Sequence, residues 1–193
     1  QSMSDREIEI GDFDDRLKST LERRSLLVLG VPTDLAQAAA EILVRRTALV
    51  RYSFDAQFLA AMDGLVASQG IDPAVVIETD ADGPRADAWR HLTDLSAEAA
   101  ARVAAELLPP KRPIVITEPG LIHRFGLDGF LRALVAASQD DAAAAIVLLC
   151  PGHGGQRGRA PTIEGEMMIP GLLPGQSAWI PMSWLTDYRK SAA

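Results

Sequence analysis

A few side chains of this sequence could carry acid–base or metal chemistry, and they cluster after two apolar runs. Glu118 and His123 follow the run at 113–117, and His153 follows the run at 145–150. If both runs are parallel strands of one sheet, these side chains meet at the edge where open α/β sheets bind ligands. The sequence therefore predicts a strand-end crevice near Glu118, His123 and His153.

The residue spacing around this crevice matches no known catalytic or metal-binding motif. His123, His153 and Cys150 offer metal ligands, but without the ligand spacing that metal sites use. Cys150 ends an apolar run beside a proline, with no neighbour that would activate a thiolate, so we expect a small buried hydrophobe. The nucleophile elbow Gly-x-Ser-x-Gly does not occur in the sequence. No catalytic residue and no metal site are therefore predicted.

The turn after the first apolar run occupies the place of a phosphate-binding loop. Its sequence at 30–34, Gly-Val-Pro-Thr-Asp, has one glycine and no lysine, whereas such a loop needs several glycines and a lysine. A dinucleotide-binding fingerprint is missing for the same reason. Thr117 and Glu118 lie where a metal-holding strand would end, with only one carboxylate. We therefore expect a nucleotide-binding type of scaffold without the nucleotide chemistry.

The hydrophobic pattern predicts strands that alternate with helices along most of the chain. Apolar runs are predicted to be strands at 26–31, 48–52, 74–79, 113–117 and 145–150, with a further short strand at 167–169. Helices are predicted at 35–46, 55–68 and 127–138, in a long segment that ends at 108 after a break near 93–96, and at 4–20 and 184–191. This alternation is typical of right-handed βαβ units around a parallel sheet. The predicted fold is α/β: three-layer α/β/α, with a mostly parallel five-stranded sheet in P-loop-NTPase-like order, without Walker A.

Length, composition and charge restrict the class of protein further. The 193 residues suit a single α/β domain, predicted at 4–193, after a tag remnant at 1–3. A net charge of −7 repels phosphate backbones, so direct nucleic-acid binding is disfavoured. The single cysteine fits a reducing compartment, and no apolar stretch reaches the roughly 18 residues of a membrane span. With no signal peptide at the charged N-terminus, we expect a soluble cytoplasmic protein without membrane contact.

A Pro-Gly pair follows each of the last two predicted sheet strands. The sequences are Glu-Pro-Gly-Leu at 118–121 and Cys-Pro-Gly-His at 150–153. Pro-Gly is a strong turn signal, so the simple interpretation is that two tight turns end the strands. The functional interpretation is that the turns flank a groove for a peptide or protein partner. The candidate binding residues around them are Glu118, Gly120, His123, Arg124, Gly152 and His153.

The second half of the chain resembles a known family. The residues that carry the resemblance are 114–125, 127–134, 146–152 and 169–185. They resemble the C-terminal domain of PglW-type kinases from bacteriophage-exclusion (BREX/Pgl) defence systems. The same order of strand, Pro-Gly, helix, strand and Pro-Gly is similar to BrxB, a small protein of related systems. None of the kinase motifs is present, so the resemblance implies no kinase activity.

The resemblance implies a non-catalytic interaction or regulatory module of a bacterial phage-defence complex. Its expected partners are other defence-system proteins, and neither a cofactor nor a particular oligomeric state is indicated. The alternative is a divergent nucleotide-binding or hydrolytic enzyme that uses the strand-end crevice near Glu118, His123 and His153. A regulatory domain that senses a small ligand is a third hypothesis.

Overall fold

The computed structural model describes residues 4–153 and 158–190. Residues 1–3, which the sequence predicts to be a tag remnant, lie outside the described residues. Within the described ranges, no helix is both long enough and apolar enough to cross a bilayer.

A five-stranded sheet forms the middle layer, and every neighbouring pair of strands is parallel. The strands are β1 Leu26–Pro32, β2 Val50–Ser53, β3 Ile114–Thr117, β4 Ile146–Gly152 and β5 Ser177–Trp179. Their order across the sheet is β2-β3-β4-β1-β5. The predicted three-layer α/β/α fold with a parallel sheet is confirmed, and β4 lies between β1 and β3, which fits the P-loop-NTPase-like order expected.

The three central strands are apolar on both faces because helices cover both faces of the sheet. Leu26 and Val28 of β1 point into one core layer, whereas Leu27 and Leu29 point into the other. The register pairs Gly30 of β1 with a residue of β4 on one side and with one of β5 on the other. Their continuous apolar sequences therefore reflect burial from both sides.

The two outer layers consist of helices of different lengths. One core layer lies under α3 Phe54–Ser68, α4 Pro73–Asp82, α5 Trp89–Leu107, α6 Gly120–Arg124 and α7 Asp128–Ser138. The other lies under α1 Asp5–Arg23, α2 Ala36–Arg46 and α8 Met182–Lys190. Short 3-10 turns at Thr33–Leu35 and Gly83–Arg85 precede α2 and α5.

The predicted strand at 74–79 is wrong, because this segment forms helix α4. The Asp72 carboxylate accepts a hydrogen bond from the Ala74 N–H at 3.0 Å, and Pro73 occupies the first turn. A capping acid and a proline at the helix start together favour a helix, and here they outweigh the strand preference of Val-Val-Ile. The fifth strand of the sheet is instead β5, a three-residue segment that the sequence pattern did not reveal.

Two smaller predictions also differ from the structure. Helix α5 runs without the predicted break near 93–96, and the Ser96 hydroxyl donates to the Leu92 carbonyl within the helix at 2.7 Å. The predicted strand at 167–169 is limited to an isolated bridge between Ile163 and Met167. Ile163 itself is fully buried in the core.

The first and last helices pack against each other beside β5. Asp14 of α1 accepts hydrogen bonds from the Trp184 indole at 2.9 Å and from the Tyr188 hydroxyl at 2.6 Å. The Phe13 ring meets the Trp184 ring edge to face, with 5.0 Å between centroids. Arg16 donates to two carbonyl groups just before and within β5, at 2.6 and 3.0 Å. These contacts hold the short edge strand in place.

Replacing the fully buried Trp184 with alanine should lower the free energy of unfolding by about 3–5 kcal/mol, because it empties a core position and leaves the Asp14 carboxylate without one donor. Met182→Ala is the control in the same helix, since Met182 is 53% exposed, and should change stability by less than about 0.5 kcal/mol. Urea unfolding measures the free energy of unfolding of both variants, and an equal loss in the two would show that Trp184 does not anchor α8.

Candidate functional site

The carboxyl ends of the parallel strands open into a pocket of about 440 Å³, which we call the strand-end pocket. The end of β4, the loop at 158–166 and the ring of Trp179 line it. Its polar lining residues are Thr33, His153, Arg159, Thr162, Glu164 and Glu166. This is the edge where ligands of open α/β sheets bind, so the pocket lies where the sequence predicts a crevice.

The indole of Trp179 covers the glycine at which a phosphate-binding loop would start. A Cβ atom at Gly30 would lie 2.4 Å from Cε3 of Trp179, so no larger residue fits under the ring without displacing it. The ring also reaches toward Gly152, where a Cβ would lie 3.7 Å away. The Trp179 Nε1–H donates to the Arg159 carbonyl at 2.8 Å and so ties the ring to the loop. A side chain therefore fills the end of β1.

Three predicted residues lie between β2, α6 and the loop. The Glu118 carboxylate is 3.5 Å from the Arg51 guanidinium and is about half exposed. Gly120 begins α6, and a Cβ there would lie 3.1 Å from a carboxylate oxygen of Glu164. The His123 Nε2 atom lies 3.0 Å from the Glu166 carboxylate. Gly120 and His123 therefore neighbour the strand-end pocket through two of its acidic lining residues.

The remaining predicted residues divide between two places. Gly152 and His153 line the strand-end pocket, as the sequence predicts. Arg124 instead contacts α4: its guanidinium donates to the Asp80 carboxylate at 3.2 Å and to the Asp80 carbonyl at 2.7 Å, and it lies 5.3 Å from the centroid of the Trp89 ring. His153 therefore lines the pocket and His123 contacts its lining residue Glu166, whereas Arg124 contacts α4.

Asp55 is a half-buried acid near this site that the sequence pattern did not single out. Burial raises the pKa of the Asp55 carboxyl. The hydrogen bond that Asp55 accepts from the Leu121 N–H at 3.0 Å lowers this pKa, whereas the negative charges of Glu118 and Glu164 raise it further. Its position two residues after Ser53, which caps α3, is the signal that would have placed it at the end of β2.

Cys150 and the acidic groups offer little conventional chemistry. Cys150 is buried, as expected, and burial raises the pKa of its thiol to about 12, so it is not a thiolate at neutral pH. Across residues 4–153 and 158–190, no group of three histidine, cysteine, aspartate or glutamate side chains is close enough to hold a metal ion.

A second surface feature lies on the other side of α6, between α3 and α4. This α3–α4 groove has a volume of about 730 Å³ and a predominantly apolar lining. Its buried floor includes Phe58, Met62, Val66 and Leu92. Two large apolar side chains line it and remain exposed, Leu59 at 52% and Ile77 at 69%. The groove could not be predicted from the sequence pattern, because that pattern favours a sheet strand at 74–79.

The fold and the sites define an α/β protein with a strand-end pocket closed by a tryptophan and an apolar groove between two outer helices. The chain matches no protein-family profile, no curated protein and no solved structure.

Gly30→Ala should lower the free energy of unfolding by about 1–3 kcal/mol, because the new methyl group overlaps the Trp179 ring. In a Trp179→Ala background the same substitution should cost less than about 0.5 kcal/mol, since the ring is gone. Gly64→Ala, at a helical glycine with open space around its Cβ position, is the control and should stabilise by about 0.5–1 kcal/mol. Urea unfolding measures these changes in free energy. If Gly30→Ala lowers stability equally with and without the Trp179 ring, the overlap with that ring is not the cause.

Asp55→Asn should stabilise the protein relative to wild type at neutral pH, because it removes a poorly solvated charge and keeps the acceptor for Leu121. Because the pKa of Asp55 is raised in the folded state, its contribution to folding stability is fully present below the ordinary pKa of 3.8. That contribution is lost as the pH rises through the raised pKa. The advantage of the variant should therefore grow between about pH 4 and about pH 7. Unfolding free energies at the two pH values test this, and an advantage that shrinks with pH contradicts it.

Proposed function

We propose that this protein is a non-catalytic interaction module of a bacterial phage-defence complex of the BREX/Pgl type, and that it acts in the cytoplasm. It works through contact with the other defence proteins rather than through a reaction of its own. The choice of system comes from the resemblance to PglW-type C-terminal domains and to BrxB, which is carried by residues 114–125, 127–134, 146–152 and 169–185. The α3–α4 groove and the packing of Trp179 on Gly30 support a contact role.

The observation that carries the proposal is the α3–α4 groove. Soluble proteins seldom leave contiguous apolar surface open, and when they do, the surface commonly marks a protein or ligand contact. Leu59 and Ile77 remain exposed beside a floor of buried phenylalanine, methionine and leucine. A deep apolar centre with polar side chains at its margin is the usual composition of the core of a protein interface.

The packing at the end of β1 supports the same proposal. Trp179 lies on Gly30, where the backbone of a nucleotide-binding protein would approach phosphates. The acidic balance of the chain, with a net charge of −7, favours protein partners over nucleic acid. A filled phosphate position and an open apolar groove together favour a contact role.

The alternative is a divergent nucleotide-binding or hydrolytic enzyme that uses the strand-end pocket. One observation favours it: His123 and Glu166 are in contact at 3.0 Å, in the region where His153 also lies. A histidine held by a carboxylate is a common arrangement for proton transfer. Under this alternative, His123→Ala combined with His153→Ala abolishes the function.

Deleting the gene for this chain from a strain that carries the whole defence locus should abolish protection in a phage-plating assay. Wild-type chain and the double variant His123→Ala/His153→Ala should both restore protection, whereas Ile77→Glu should not, because it places a charge in the α3–α4 groove. Calorimetric titration of the purified chain with Mg-ATP should give no binding heat.

Four results would contradict the proposal. Full protection by Ile77→Glu removes the role of the α3–α4 groove, which carries the proposal. Protection that survives the deletion removes the defence role. Failure of the double histidine variant to restore protection, or binding of Mg-ATP by the purified chain, favours the enzyme instead.

A further inference from the structure

We infer that the α3–α4 groove binds an amphipathic helix of a partner protein, with an apolar face and lysine or arginine residues along its flanks. This inference rests on the proposed contact role and specifies the partner's chemistry. Three features of the groove carry it: its apolar floor, its helical walls and its acidic margin.

Exposed apolar side chains of the groove are available to a partner. Leu59 of α3 is 52% exposed and Ile77 of α4 is 69% exposed, beside Phe58, Met62 and Val66, which the protein's own core already buries. Phe125, which stacks on Phe58 with 5.7 Å between ring centroids, closes one end. A partner helix that presents apolar side chains at intervals of three and four residues offers one continuous apolar face to Leu59 and Ile77.

The walls select a helix over an extended strand. Both walls are helices, whose backbone groups are hydrogen-bonded within each helix, so the groove has no open row of N–H and C=O groups to pair with a strand. Along α3 the lining extends from Phe58 to Ala67, which at ~1.5 Å per residue is about 14 Å. That length accommodates two to three turns of a partner helix.

The margin of the groove is acidic. Asp63, Asp72 and Asp80 line it, and no lysine or arginine does. Asp80 is paired with Arg124, and Asp72 caps α4, but the Asp63 carboxylate is exposed and makes no hydrogen bond or ion pair with any residue in the described ranges. Complementary charge steers association and selects partners, so the flanks of the partner helix should be basic.

The same charges disfavour a second copy of this chain as the occupant. In a two-fold symmetric dimer through this surface, the same patch of each copy faces the other. Asp63 and Asp72 of the two grooves would then approach each other across the interface, which costs free energy because like charges repel. A basic segment of a different protein complements the negative charges at the margin of the groove, whereas a second copy of this chain does not.

The test uses a fluorescein-labelled 18-residue model peptide with leucine on one helical face and lysine elsewhere, titrated with the purified full chain and followed by anisotropy. We expect saturable one-to-one binding. Leu59→Glu and Ile77→Glu should each weaken it at least about tenfold, since each places a carboxylate in the apolar groove. The matched control is Leu173→Glu, at a side chain that is 61% exposed and does not line the groove, and it should leave the affinity unchanged.

Two further peptides separate shape from charge. A peptide with glutamate in place of every lysine should bind at least about tenfold more weakly, and so should a peptide of the original composition in scrambled order. Equal binding of the scrambled peptide would show that charge alone attracts it and would overturn the inference. Loss of binding in Leu173→Glu equal to that in Ile77→Glu would overturn it as well.

Sedimentation velocity addresses self-association in the same samples. A monomeric wild-type chain agrees with the inference, whereas a dimer that Ile77→Glu dissociates would assign the groove to a second copy and overturn it. If the wild-type chain does not bind the peptide and Ile77→Glu still fails to restore phage protection, the inferred helical ligand is wrong, but the proposed function stands. Full protection by Ile77→Glu, with peptide binding intact in the wild-type chain, would instead remove the proposed role of the groove.

Discussion

The packing of Trp179 on Gly30 is the contact on which the strand-end side of the molecule depends. It seats β5 against β1 at a position where no Cβ could be accommodated. Through its Nε1–H it also holds the loop that carries Glu164 and Glu166. The shape of the strand-end pocket therefore follows from one aromatic ring over one glycine. That ring occupies the place in which related sheet architectures receive phosphates.

Much of the fold follows from the sequence, because burial on both faces leaves a short continuous apolar run bounded by turn residues, which indicates a buried strand. Strands β1, β3 and β4 are of this kind and were predicted. The segment at 74–79 was not, since its Val-Val-Ile core resembles a strand and only the acid and proline before it favour a helix. Strand β5 has three residues with only partly buried side chains, so its local pattern carries too little signal. Its partner β1, far away in sequence, fixes it.

The candidate site was predictable to the same extent as the strands that position it. Gly152 and His153 follow a predicted strand and lie in the pocket, and His123 lies near it. Arg124 turns away because a helix of five residues brings it to the side of α4. The α3–α4 groove arises only when α4 packs beside α3, so sequence periodicity along either helix does not predict it. To predict a surface formed between two elements, one must know how the two elements are placed relative to each other.

The central claim is that the protein makes its functional contacts through α3 and α4 and not through the ends of its strands. Amide hydrogen exchange of this chain, alone and within the reconstituted defence complex, tests this most directly. Contacts through α3 and α4 should slow exchange in peptides that cover 58–80 and leave exchange at 30–35 and 118–123 unchanged. Slower exchange confined to 30–35 and 118–123, with 58–80 unchanged, would contradict it.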